Sequence, residues 1–203
     1  MGGIGFAAAG RLDLPFVWAI LCLIAGFFLA VSAFADRGLL EERLAPGARN
    51  RDRVTRLAGI ALLTAHWAMA GLDAGRLRWT PVVWPIELAG CLGYAAALAI
   101  VFWAMKANPF YSSVVRIQSD RGQYAVAAGP YRFVRHPGYA GTLFAMAAGG
   151  VAFGSWLAML PMLVFAALFI RRTLVEDRMI RRELPGHAEY ARRVRYRLIV
   201  GVF

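Results

Sequence analysis

Charge is scarce in this chain of 203 residues. Only 17% are Asp, Glu, Lys or Arg, while 60% are apolar and the mean hydropathy is +0.54. That balance excludes an ordinary soluble domain and indicates an integral membrane protein. Cysteine is just as sparse. Cys22 and Cys91 both lie in apolar runs and read as small buried hydrophobes. With no CxxC and no Cys/His cluster, a zinc or iron–sulfur site is not supported, so no metal is expected. The fingerprints GxSxG, GxxxxGK[ST] and GxGxxG are missing too, which removes the signals for a serine hydrolase, a P-loop NTPase and a dinucleotide fold. Acidic residues number 12 against 23 basic ones, a net charge of +11. In a soluble protein this excess would point to nucleic acid. Beside these apolar runs it is read through membrane topology, and no nucleic-acid partner is expected.

What is present is a series of apolar segments near 14–35, 57–73, 82–105, 138–153 and 155–171. The first and third are long enough to span a bilayer at about 20 residues per span. The second is marginal and carries His66, read as packed or interfacial. The last two are short and separated by "FGSW" at 153–156, which fits a tight helical hairpin. "AFAD" at 33–36 resembles a signal-peptidase site, but the preceding run exceeds a typical signal core and reads as a retained helix. Cations divide unevenly between the loops. The segment 36–56 has six (Arg37, Arg43, Arg49, Arg51, Arg53 and Arg56), 106–137 has five, and the tail from 171 has nine. Only Arg11, Arg76 and Arg78 remain elsewhere. With five spans, 20 of the 23 cations fall on one side. The positive-inside rule then puts the N-terminus outside and the C-terminus in the cytoplasm. The expected fold is an all-α integral membrane protein with about five transmembrane helices. It divides into three N-terminal spans over 1–105 and a catalytic region over 106–203.

The stretch "GPYRFVRHPGYAG", 129–141, is polar and rigid in a membrane-like setting. "GPY" is a turn signal, with Pro130 fixing φ. Pro137 forces His136 out of helical geometry and suits the first position of the fourth apolar helix. His136 therefore sits at a helix N-terminus, where backbone N–H groups favour an anion. A juxtamembrane basic anchor accounts for the same composition. A second constellation, "RRTLVEDR" at 171–178, puts Arg172 and Glu176 on one helix face, beside Asp177. Its plainer reading is a solvated helix end. Glu87 reads as first-turn dipole stabilisation, and His187, in the "LPGH" turn, as solvated.

Taken together, "GPYRFVRHPGYAG", a short apolar hairpin, "RTLVED" and "GHAEYARRV" resemble the isoprenylcysteine carboxyl methyltransferase family and, more broadly, the membrane methyltransferases that include phospholipid N-methyltransferases. The resemblance covers about residues 100–200. It implies S-adenosylmethionine as cofactor and S-adenosylhomocysteine as product, in a pocket on the cytoplasmic face. Carried over by position, it implies cofactor contacts at Gln123, Tyr124, Ala125 and Val126 and at Tyr131, His136, Pro137, Gly138 and Tyr139. Glu176 joins them, and Gln118 is the nearest candidate for a further upstream glutamine. The resemblance implies catalytic roles for Arg172 and Glu176, with Arg172 holding the substrate. Asp177 stands where relatives often have a second glutamate, and Gln123 where some have histidine. Membrane sterol reductases resemble the pattern RHPNYxGE, but this chain has Gly138 and Thr142 at the distinguishing positions.

The implied reaction is displacement at an activated methyl carbon, so alignment and exclusion of water carry the catalysis. The acceptor is expected to be lipophilic or lipid-linked, arriving sideways from the bilayer. O-methylation of a carboxylate is favoured, because Arg172 can orient a carboxylate bidentately. Amine and thiol acceptors stay open and must first lose a proton. A scaffold or transporter subunit whose basic loops bind anionic lipid is the non-enzymatic alternative. The terminal "RYRLIVGVF" is expected to help close the pocket against the membrane.

Overall fold

The structure, a computed structural model, describes residues 1–35, 37–44 and 53–203, with side chains at all of these except 43, 44 and 53. Arg49 and Arg51 lie outside the described residues, as do the side chains of Arg43 and Arg53. Within these limits the chain is all-helical, with no strand among the described residues beyond one isolated bridge. The helices are α1 (Gly2–Ala9), α2 (Pro15–Phe34), α3 (Arg37–Leu44), α4 (Arg53–Leu72), α5 (Trp84–Ala107), α6 (Pro137–Ala152), α7 (Met159–Glu183) and α8 (His187–Arg193). Pro15, Pro85 and Pro137 open α2, α5 and α6. The missing N–H of a proline costs nothing in a first turn.

Three helical stretches are long and apolar enough to cross a membrane: Pro15–Phe34, Val54–Leu77 and Trp84–Ala107. The second is α4 prolonged by a π-helical turn, Asp73–Leu77. Helix α6 has only 16 residues, and the second half of α7 carries its charges. Helices α5 and α6 run antiparallel in close contact through small residues, as membrane helices do where backbones must approach. At Gly90 a Cβ would lie 2.6 Å from the backbone nitrogen of Ala152, so no larger residue fits there. Two elements escaped the sequence reading. Helix α1 lies against α4, with Gly5 over the Trp67 ring. Helix α3 packs Leu39 against Val31, Val101 and Met105. Two local expectations also change. Cys22 is exposed on the apolar surface of α2, and only Cys91 is buried. His66 is packed as expected, and its Nδ1 lies 2.9 Å from the carbonyl of Ala158.

At one end of the bundle, the α4–α5 and α6–α7 connections are tied together. Trp156 N–H donates to Thr80 O at 3.2 Å, and Val82 N–H donates to Gly154 O at 3.3 Å. Asp73, fully buried, accepts from Trp79 N–H (2.7 Å), Thr80 N–H (3.2 Å), the Ser155 hydroxyl (2.6 Å) and the Thr80 hydroxyl. The turn of the α6–α7 hairpin thus reaches the same level as the α4–α5 turn. Exposed tryptophans, Trp18, Trp79, Trp84 and Trp156, mark that level. At the opposite end lie α3, the 108–136 connection, α8 and the C-terminal segment.

Candidate active site

That second end holds a cavity of about 780 Å³, its open mouth included. The sequence builds it from three pieces. The first is the connection after α5. Asn108 Oδ1 accepts the Phe110 N–H at 2.9 Å, and Asn108 Nδ2 donates to the Tyr131 hydroxyl at 3.1 Å. Gln118, 1% exposed, braces the same connection. Its Nε2 donates to Phe110 O at 2.7 Å, its Oε1 accepts from Arg121 at 2.6 Å, and its N–H reaches Gln123 Oε1 at 2.6 Å. Helix α3 fastens the connection from outside. Glu42 accepts from Ser112 at 2.7 Å and from Arg116 at 3.1 and 2.5 Å. Hydrogen bonds from Arg116 hold the Glu42 carboxyl below the usual range, against the effect of burial.

The second piece is the motif itself. Gly129–Arg132 forms a 3₁₀ turn, and Pro137 opens α6 with His136 as N-cap, as expected. Tyr131 is buried, which pushes its phenol well above the usual value. Tyr190 of α8 donates to Tyr131 O at 2.7 Å. Gly138 faces the ring of Tyr111 so closely that any Cβ would collide with it. His136 stacks on Tyr139, with ring centroids 5.6 Å apart and planes 5° from parallel.

The third piece is the end of α7 with the C-terminal segment. Tyr139 donates from its hydroxyl to Glu176 Oε2 at 2.5 Å and accepts from Arg172 Nε at 2.9 Å. Arg172 and Glu176, one helical turn apart, are therefore joined through a residue of α6. Arg172 is buried and also donates from Nη2 to Ser113 O at 3.1 Å. Asp177, 1% exposed, takes a two-pronged ion pair from Arg135 (2.7 and 3.0 Å) and a third contact from Arg197 Nε at 3.2 Å. Burial raises its pKa, but His136, His187 and Arg135 more than offset this and hold the carboxyl well below the usual range. The C-terminal segment is pinned to the motif by Arg135 N–H on Tyr196 O and His136 N–H on Arg197 O, both 2.9 Å. Its tip exposes Ile199, Val200 and Val202.

Gln118, Gln123, Tyr124, Ala125, Val126, Tyr131, His136, Gly138, Tyr139 and Glu176 all line this cavity. Pro137 is buried in the first turn of α6, and Arg172 stands behind the wall at Tyr139. Several contributors escaped the sequence reading. Phe110 meets the expected Tyr124 edge to face at 5.1 Å, and Tyr111, Arg135 and Tyr190 also line the space. His187, expected to be solvated, is instead 6% exposed and faces the cavity, because the Gly186 turn folds α8 back onto Asp177. The advance signals for Asp177 were its place beside Glu176 and the second glutamate that relatives often have there.

Residues 86–185 match the family model described as phospholipid methyltransferase. The match starts earlier than the resemblance suggested, so it takes in α5 together with the motif, the hairpin and Glu176. Among curated proteins nothing matches the chain. The matched segment is the one that builds most of the cavity, and residues 86–185 form a domain of the membrane methyltransferases of the isoprenylcysteine carboxyl methyltransferase type.

Proposed function

We propose that this protein is an S-adenosylmethionine-dependent methyltransferase whose acceptor is a lipophilic amine entering from the bilayer. The observation that carries the cofactor reading is convergence. Ten of the eleven residues expected to touch the cofactor share one cavity, although they come from a connection, a helix start and a helix end. The chemistry of that cavity suits the cofactor. Phe110, Tyr124, Ala125 and Val126 offer an aromatic and apolar flank for a flat base. Glu176 offers a carboxylate for a hydroxyl or ammonium. His136 and His187 give the cavity a polar end. When bound, the cofactor supplies a methyl group already activated on sulfonium. The protein's part is then to align the acceptor and to keep out water.

The choice of an amine rests on Arg172 and Glu176. A carboxylate acceptor calls for a guanidinium free to pair with it, and the two that line the cavity, Arg116 and Arg135, already pair with Glu42 and Asp177. Arg172 instead commits Nε to Tyr139 and Nη2 to Ser113 O, and its side chain lies outside the lining. Glu176 is the one carboxylate among the described residues of the lining. It attracts an ammonium and can take the proton that an amine must lose before it attacks. The short contact to Tyr139 fixes that carboxylate in place.

Five crossings, with the N-terminus outside and the cavity on the cytoplasmic side, complete the proposal. They are supported by the 20-to-3 cation split and by the hairpin turn, which sits level with the α4–α5 turn among the exposed tryptophans. The test uses the purified chain in lipid nanodiscs with methyl-labelled S-adenosylmethionine. Acceptors share one chain and differ in head: long-chain amine, fatty acid or prenylated thiol. Label is expected on the amine. Label on the acid would reinstate the carboxylate, and failure to bind S-adenosylhomocysteine would overturn the cofactor reading.

A further inference from the structure

The motif, α7 and α8 meet at one carboxylate. Asp177 Oδ1 accepts from Arg135 Nε at 2.7 Å and also faces His136 Nε2 at 3.5 Å and His187 Nε2 at 4.0 Å. Both imidazole contacts are longer than a good hydrogen bond. Both Nε2 atoms are nonetheless fully enclosed, with no other protein partner. Two arginines, Arg135 and Arg197, already pair with Asp177, so the local charge is positive before either imidazole gains a second proton.

We infer that Asp177 is a positioning residue that fixes His136 and His187 as a matched pair, each protonated at Nε2 toward Asp177 and each keeping the Nδ1 lone pair for the cavity. A neutral imidazole has one donor and one acceptor nitrogen, and its partner decides which is which. A carboxylate oxygen only accepts, so the nitrogen facing it is the donor. The remaining ring nitrogen of each histidine is then an acceptor at the polar end of a cavity that both residues line. This deepens the cofactor reading and rests on it. The polar end becomes a surface for a ligand ammonium or hydroxyl, not the carboxylate cradle that a helix start alone suggests. The backbone agrees. His136 N–H is taken by Arg197 O, Pro137 has none, and Tyr139 and Ala140 N–H both return to His136 O. Of the groups at the start of α6, that leaves only Gly138 N–H for an anion.

The chain has three histidines, so nitrogen NMR of ¹⁵N-imidazole-labelled protein in nanodiscs resolves each one, with single His→Gln variants for assignment. His66 is the internal contrast. Its Nδ1 faces a carbonyl at 2.9 Å, so it carries the proton on Nδ1. The expected spectrum has His136 and His187 as neutral Nε2–H forms and His66 as the opposite tautomer. Adding S-adenosylhomocysteine shifts the Nδ1 signals of His136 and His187 and leaves that of His66. In Asp177→Asn the two tautomers mix, and affinity falls about 10- to 100-fold, by analogy with the loss of partners that orient metal-ligating histidines. An Nδ1–H form at His136 or His187 in the unliganded wild type overturns the inference, whether or not Asp177→Asn folds. So does a pair of Nδ1 signals unmoved by saturating S-adenosylhomocysteine. Absence of any binding, with the Nε2–H tautomers in place, instead overturns the cofactor reading and with it the cavity-facing half of this inference.

Discussion

Among the described residues, each end of the bundle buries one aspartate, and the two are satisfied in opposite ways. Asp73 is held by two backbone N–H groups and two hydroxyls, all neutral and all from the turns it joins. Asp177 is held by two guanidiniums and faced by two imidazoles drawn from the motif, α8 and the C-terminal segment. Neutral donors make a staple with nothing left over. The cationic shell leaves residual positive charge and two ring nitrogens without close partners. A buried cluster of that kind is weak evidence for stability as a goal in itself, because well-packed apolar residues often serve as well. The difference is the one expected if the first end is structural and the second is the proposed chemical one.

The largest effect that would break this contrast comes from Asp177→Ala. It leaves Arg135, whose side chain is 3% exposed, without its carboxylate. Removing one partner of a buried pair costs about 3–5 kcal/mol. Thermal unfolding in detergent should show the loss, and calorimetry should show S-adenosylhomocysteine binding abolished. The sign with pH follows from the depressed carboxyl of Asp177. Its stabilising contribution is complete above the unfolded value of about 3.9 and disappears as pH falls through the folded one. Melting temperature should thus be indifferent to this group between pH 5 and 7 and decline below about pH 4. Asp177→Asn should lack that acid limb. A midpoint that instead fell between pH 7 and 5, and only in the presence of Asp177, would contradict the assignment.

Next comes Arg172→Lys. A lysine can reach Tyr139 or Ser113 O but lacks the planar fork that serves both. Turnover should fall about 100-fold, the order of effect for a misplacement near 1 Å, while S-adenosylhomocysteine affinity stays close to wild type. Turnover within twofold of wild type would make the bridge through Tyr139 dispensable. Smaller still is Asp73→Ala at the other end. It strands buried donors at about 1–3 kcal/mol, lowering the melting temperature without changing cofactor affinity. An affinity loss matching that of Asp177→Ala would erase the contrast between the ends.

What the sequence made legible follows from where the information is local. Pro137 dictates the start of α6, and apolar runs dictate α2, α4 and α5, so these elements are where they were expected. Residues of the cavity could be named because the contiguous motif carries the family resemblance, which also implied the segment 123–126 just before it. The Asp177 cluster was illegible because its members are separated by 42 residues at Arg135 and 20 at Arg197, and no spacing rule links a helix end to a C-terminal segment. His187 was misread for a similar reason. A Pro-Gly turn normally signals exposure, but here it folds α8 inward. Arg172 and Glu176 were read as helix neighbours. The hydroxyl that joins them belongs to Tyr139 on another helix.

The smallest functional effect belongs to the variants that decide which end faces which compartment. In a background lacking Cys22 and Cys91, single cysteines at Val83, Trp156 and Ser119 test it, since all three positions are exposed. None of these residues lines the cavity, so methyl transfer should stay near wild type in each. A membrane-impermeant thiol reagent applied from outside should label Val83→Cys and Trp156→Cys and should reach Ser119→Cys only after permeabilisation. Trp156 is the informative position, because α6 is only 16 residues long. At about 1.5 Å per residue it rises about 24 Å, less than a typical hydrocarbon core. The hydrogen bond from Trp156 N–H to Thr80 O nevertheless ties its turn to the α4–α5 connection. If α4 and α5 cross, α6 and α7 must cross with them, through tilt or local thinning of the bilayer. Outside labelling at Val83→Cys but not at Trp156→Cys would mean that the hairpin stops short. The α4–α5 and α6–α7 turns would then not be stapled at one level.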